Sequence, residues 1–101
     1  MVIISKSAIN EYAAFCPRAK DALLNWYRHA KMADWSKFSE MRQTFNSVDS
    51  VGNNRYVFNI KGNDYRLVAI IHFDVRTVYV VFVGTHAEYD RIDASKIEFK
   101  R

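Results

Sequence analysis

The sequence predicts an α+β domain in which a short first strand and two or three helices pack on one face of a small, twisted, mostly antiparallel sheet. Three observations carry that expectation. Glycine is absent from the first fifty-one residues and then occurs only at 52, 62 and 84, which divides the chain into a helical half and a sheet half. Apolar residues recur at helical spacing up to Phe45 and at period two from Tyr56 onward, the two repeats that helix and strand geometry impose. Gly62-Asn63-Asp64 and the turn at Asp74–Arg76 suit hairpins, which join antiparallel neighbours.

Each element follows in order. Val2-Ile3-Ile4 is a short apolar strand, and Ser5 or Ser7 can cap the helix after it by accepting from a free first-turn amide. Ile9, Tyr12, Ala13 and Cys16 form that helix's stripe. Pro17 suits a first helical position and opens a second helix, with Ala19, Leu23, Trp26, Tyr27 and Ala30 on one face and Lys20, Asp21, Arg28 and Lys31 on the other. Asp34 or Ser36 starts a third, shorter helix carrying Trp35, Phe38, Met41 and Phe45. Asn46–Asn54 reads as a loop pinned by Val48 and Val51. Then Tyr56, Phe58 and Ile60 face one way while Val57, Asn59 and Lys61 face the other. In the next strand Leu67, Ala69, Ile71 and Phe73 oppose Arg66, Val68, Ile70 and His72. Thr77–Val83 is apolar on both faces and so expected in the sheet interior. Ala87–Ala94 is expected to hold a helical turn, and Ile97–Phe99 a last short strand.

A chain of 101 residues, half of them hydrophobic, is expected to form one domain over 1–101 with one core. The single cysteine, Cys16, excludes an internal disulfide, and no Cys/His cluster has zinc-ligand spacing. No phosphate-loop, paired-carboxylate or metal motif is present, so no cofactor is expected. The start MVIISKSAINEY lacks a signal peptide's apolar run, and Val78–Val83 is far too short to span a bilayer. A cytoplasmic protein without membrane contact is expected. A net charge of +4 favours anionic partners, nucleic acid above all, without requiring one.

Function concentrates in Tyr56–Arg91. If helices cover the Phe58/Leu67 face, the opposite face carries Asn59, Lys61, Arg66 and His72. An arginine inside an apolar strand needs water, an anion or a carboxylate. Arg66 either pairs with Asp64, Asp74 or Glu88, or clamps a phosphate through its planar guanidinium. His72 reads as a packed strand histidine or a polar contact. His86 follows Gly84 at a strand end, where loops carry function, and histidine exchanges protons near neutral pH. Tyr89 either plugs the core edge or stacks on a base. Glu88 is a general-base candidate or a partner for Arg66, and Asp90 with Arg91 reads as a solvated charge pair. His29 is given no role, and Cys16 reads as a buried small hydrophobe.

The segments VFNIKGNDYRLVAIIHF and VYVVFVGTHAEYDRID resemble the HigB family of bacterial toxins, within the RelE-like superfamily of ribosome-dependent mRNA interferases. The short first strand, the helices and Ala33-Asp34-Trp35 fit the same family, so the likeness covers nearly the whole chain. It implies the toxin of a type II toxin–antitoxin pair with a RelE-like fold, acting on ribosome-bound mRNA. It also implies a HigA-like helix-turn-helix antitoxin through which the complex reaches operator DNA. By position, Arg66 matches the arginine that follows the tyrosine of the YRLV strand and would hold the scissile phosphate. Asn59 and Lys61 match polar or basic residues of the preceding strand. His86 stands where RelE carries a basic pair, and Tyr89 lies nearer the glycine than RelE's tyrosine.

The expected chemistry is metal-independent attack by the RNA 2′-hydroxyl, with Arg66 and Lys61 stabilising charge, His86 exchanging protons and Tyr89 positioning a base. Asn59, His72, Arg91, Lys96 and Lys100 are expected to contact RNA. The rival readings are a non-catalytic RNA- or protein-binding module and a degenerate toxin that acts only as its antitoxin's partner.

Overall fold

The computed structural model describes residues 1–99. The order is β1 (Val2–Ile4), α1 (Lys6–Phe15), a 3-10 turn at Pro17–Ala19, α2 (Lys20–Met32), α3 (Phe38–Thr44), β2 (Asp49–Gly52), β3 (Arg55–Ile60), β4 (Tyr65–His72), β5 (Thr77–Thr85) and α4 (His86–Tyr89). The five strands form one open sheet in the order β1-β5-β4-β3-β2. β1 runs parallel to β5, and every other neighbouring pair is antiparallel. The expected α+β architecture is therefore present, with β5 in the sheet interior.

Alternation sorts the sheet. Phe58, Ile60, Tyr65, Leu67, Ala69, Ile71, Val78 and Val80 are buried in the main core with Ile9, Leu23, Trp26, Trp35 and Met41 from the helical half. Trp26 packs edge-on against Phe58, with centroids 5.2 Å apart, and Phe45 meets Phe58 the same way at 5.3 Å. Each large apolar side chain fully buried here contributes roughly 1.5–3 kcal/mol. β5 carries a bulge, since Val68 pairs with Phe82 and Ala69 with Val80. The extra residue, Val81, resets the alternation, so Val83 still packs on the main core while Phe82 turns to the other face.

That other face is partly covered. The segment after α4 crosses it, and Ala94, Ile92 and Ile97 pack on Val57, Val68 and Phe82 as a second core. Arg55 fastens this strap: its Nε and Nη2 donate to the Ile97 carbonyl at 3.1 and 2.7 Å, and Asn53 Nδ2 donates to the Ser95 carbonyl at 2.9 Å. No strand forms at Ile97–Phe99; its carbonyl at Ile97 answers a guanidinium instead of a sheet neighbour.

Other local expectations also change. The Asn46–Asn54 loop contains β2, joined to β3 through Asn53 and Asn54, both at positive φ (54° and 63°), as a twisted two-residue hairpin requires. Ser5 sits at the start of α1 in a left-handed conformation (φ 71°) without a side-chain cap bond. α3 starts at Phe38, and the Ser36 amide and hydroxyl donate back to Glu40 at 2.6 and 2.5 Å. Cys16 is half-buried at the end of α1, with its sulfur 3.1 Å from the Tyr65 hydroxyl. Among the described residues no helix is long and apolar enough to cross a membrane.

Candidate functional site

The candidate residues gather at one end of the sheet, where the β3–β4 turn meets the β5–α4 junction. Register places Asn59 opposite Arg66, and Arg66 opposite Gly84. Facing residues on neighbouring strands stand about 4.5–5.5 Å apart at Cβ, so these three form a row across the strands. Gly84 is required for steric reasons: a Cβ there would lie 2.6 Å from Phe82 Cζ and 3.3 Å from Glu88 Cβ. The Phe82 ring therefore occupies the space beside Arg66 that a larger residue at 84 would take.

Arg66 is half-buried, and its Nη1 donates to the Asn63 and Tyr65 carbonyls at 3.1 and 3.2 Å. The ion pairs among the described residues are Arg76–Asp34, His86–Asp90 and Lys96–Asp93. Arg66 thus pairs with none of Asp64, Asp74 or Glu88, and its remaining donors are left for an external acceptor. Tyr89 lies close by, its ring 6.5 Å from Phe82. Burial pushes its hydroxyl above the ordinary tyrosine range, while the Arg66 charge pulls the other way.

His86 is the first residue of α4, and its amide donates to the Asp64 carbonyl at 3.3 Å. That bond ties the histidine to the turn preceding Arg66. Its Nδ1 lies 3.1 Å from Asp90 Oδ2, both side chains being more than half exposed. A carboxylate on Nδ1 orients the ring and leaves Nε2 for a substrate proton. Asp90 therefore partners His86 and is not the solvated companion of Arg91. The i, i+4 spacing of His86 and Asp90 was the signal for this pair, once 86–89 is helical.

Glu88 is committed elsewhere. Thr85 and Glu88 form a capping box on α4: the Thr85 side chain accepts from the Glu88 amide at 3.1 Å, and Glu88 Oε1 accepts from the Thr85 amide at 2.9 Å. The Thr85 amide, above all, holds the Glu88 carboxyl below the usual carboxylate range, which makes it a weak base. Tyr12 on α1 also donates to Glu88 Oε1, at 3.5 Å.

The remaining candidates are spread more widely. Lys61 has φ 53°, which ends the strand alternation, and its Nζ donates to the Arg18 carbonyl on the helical side at 3.4 Å. It rounds the turn instead of sharing the Arg66 face. His72 stands on that face but at the opposite end of β4, edge-on to Tyr79 at 6.0 Å. It lies six positions along the chain from Arg66, roughly 20 Å along a strand. Arg91 is exposed just past α4. Lys96 pairs with Asp93 at 3.8 Å on the strap, and Lys100 lies outside the described residues.

A family described as HigB_toxin, RelE-like toxic component of a toxin–antitoxin system, matches residues 19–92. The chain belongs to the HigB toxin family. The mRNA interferase HigB of Escherichia coli O6:H1 is 37% identical to it over 94 residues, covering 91% of each chain. The mRNA interferase toxin HigB of Escherichia coli K12 is 30% identical over 92 residues, 89% of this chain and 88% of that one. The mRNA interferase HigB of Shigella flexneri matches to the same extent. The matched span takes in the whole Asn59–Arg66–Gly84 row, His86 and Tyr89 of this HigB-family toxin, and the family places it in a toxin–antitoxin pair.

Proposed function

We propose that this HigB-family toxin is an mRNA interferase that enters the ribosomal A site and cuts translated mRNA, using RNA's own 2′-hydroxyl as the nucleophile. The observation that carries the reading is the Arg66 guanidinium, set in a strand row without a carboxylate partner among the described residues, in a chain whose relatives are named mRNA interferases.

In the reaction the 2′-oxygen attacks phosphorus, the P–O2′ bond forms and the P–O5′ bond breaks. The products are a 2′,3′-cyclic phosphate and a 5′-hydroxyl. The 2′-hydroxyl gives up one proton and the departing oxygen takes one, so no water is consumed in the cut. Arg66 holds the phosphate and neutralises the charge that builds on its oxygens. His86, oriented by Asp90, exchanges the proton through Nε2. Tyr89 stacks on a base beside the cut. Lys61 adds positive charge from the turn, and Asn59 contacts the strand next to Arg66. Arg91 and Lys96, with Lys100, serve the longer RNA path, and His72 touches RNA only at the far end of the face. The partner is a HigA-like helix-turn-helix antitoxin that carries the complex to operator DNA, and the toxin works in the cytoplasm on the ribosome.

End-group analysis of RNA from cells expressing the toxin tests this. Cyclic-phosphate 3′ ends within coding regions, together with growth arrest relieved by the antitoxin, are expected. Fragments ending in a 3′-hydroxyl and a 5′-phosphate would refute the mechanism, and arrest without any new RNA ends would favour a binding module.

A further inference from the structure

β2 ends opposite Val57, so Phe58 to Ile60 of β3 have β4 on one side and, among the described residues, no strand on the other. Beside this free edge a cleft of about 160 Å³ opens against α2, lined by Ala22, Asn25, Trp26, Phe45, Asn59 and Lys61 among its residues. The Trp26 and Phe45 rings are stacked there, with centroids 6.1 Å apart at 21°. The Trp26 indole N–H is buried and has no partner among the described residues. An unpaired buried donor costs about 1–3 kcal/mol, which an acceptor reaching Trp26 from the cleft would recover. His29 uses the Asn25 backbone carbonyl, and among the described residues the Asn25 amide side chain has no hydrogen-bond partner. Asn59, the register partner of Arg66, borders the cleft from the β3 edge, so the rim of the cleft lies one strand away from the residue that holds the phosphate.

Sites for drug-sized ligands measure roughly 300–1,000 Å³, and this one suits a single planar, hydrogen-bonding group. Single-stranded RNA is recognised by splaying bases onto aromatic side chains and bonding their edges. A primary amide offers both a donor and an acceptor to such an edge. We propose that this cleft receives one unstacked nucleobase of the bound strand, flanking the cut, and that Asn25 reads its edge. The inference rests on the reading of the chain as an RNA-cutting toxin, and it assigns the sequence preference of cutting to α2 and the β3 edge.

The chain has two tryptophans, and the Trp35 indole already donates to Thr44 Oγ1 at 3.1 Å. Two indole N–H signals are therefore expected in the NMR spectrum of the full chain. Titration with 2′-O-methyl trinucleotides, uncleavable for want of the attacking hydroxyl, should shift the Trp26 signal saturably for at least one base and leave Trp35 nearly fixed. Asn25→Ala should abolish that shift, and so should Ala22→Leu, which fills the cleft with a good helix former. On translating ribosomes Asn25→Ala should lower base preference about tenfold, the scale of one amide–base contact. Failure of every trinucleotide to move the Trp26 signal would overturn the proposal, as would Asn25→Ala cutting with wild-type preference. A Trp26 shift in a toxin that cuts no mRNA would uphold the base pocket and remove the interferase reading instead.

Discussion

Tyr12 Oη donates to Glu88 Oε1 across 3.5 Å, joining the first helix to the carboxylate that caps the last. α4 has only four residues, too few to be stable alone, so its placement rests on this capping box and on the His86 amide bond to Asp64. The proposed proton-transfer residue is thus positioned by Tyr12, Thr85, Glu88 and Asp64.

Glu88→Gln is expected to lower stability by about 1 kcal/mol through the weakened capping box, read as a lower urea midpoint. The folded carboxyl titrates below its unfolded value of about 4.3. Its contribution is therefore complete above that pH and is lost as pH falls through the folded pKa. The variant should show a shallower acid-side loss of melting temperature than wild type; parallel acid limbs would remove Glu88 from this role.

Burial pushes the Tyr12 hydroxyl up to about 12, with the Glu88 charge adding to the effect. A raised phenol stabilises the fold fully below the unfolded value of about 10 and loses that effect as pH rises through the folded one. Ultraviolet titration of phenolate absorbance should lose its most alkaline step in Tyr12→Phe. Loss of amplitude near the ordinary tyrosine value of about 10 instead would mean that the burial of Tyr12 and its contact with Glu88 do not persist in solution.

Gly84→Ala would bring a methyl group within 2.6 Å of the Phe82 ring. The ring packs in the second core with Val57, Val68 and Tyr89, so relief requires moving Tyr89's neighbour. A loss of about 1–3 kcal/mol is expected, and Phe82→Leu in the same chain should recover part of it as a double-mutant coupling. Additive losses would show that the two positions are not in contact.

Arg55→Ala removes two hydrogen bonds to the Ile97 carbonyl. The strap should then open locally, raising amide hydrogen exchange in 92–99 while β4 stays protected. Uniform exchange through the sheet would mean that the strap is part of the global folding unit.

How far the residues announce this arrangement depends on how local the determining physics is. β3, β4 and β5 are legible because their apolar residues alternate under one buried face, and α2 because Leu23, Trp26 and Ala30 share a stripe. β2 is hidden because Asp49, Ser50 and Gly52 are exposed edge residues, and hydrophobic period cannot mark a strand that buries so little. The strap is hidden because Arg55 binds a carbonyl 42 residues away. Arg66, His86 and Tyr89 were readable as candidates from type and position. Lys61 was misplaced because a positive φ at a lysine in a turn breaks the two-residue alternation. Asp90 was missed because its partner depends on a single turn of helix that only the Thr85–Glu88 box secures.

The most direct test of the account is primer extension on mRNA in a translating extract, comparing wild type with Arg66→Ala and His86→Gln at matched, folded concentrations. The account predicts in-frame cuts by wild type, cutting reduced at least about 100-fold in His86→Gln, the scale of general acid–base catalysis, and none detectable in Arg66→Ala. Both variants cutting at the wild-type rate would contradict it.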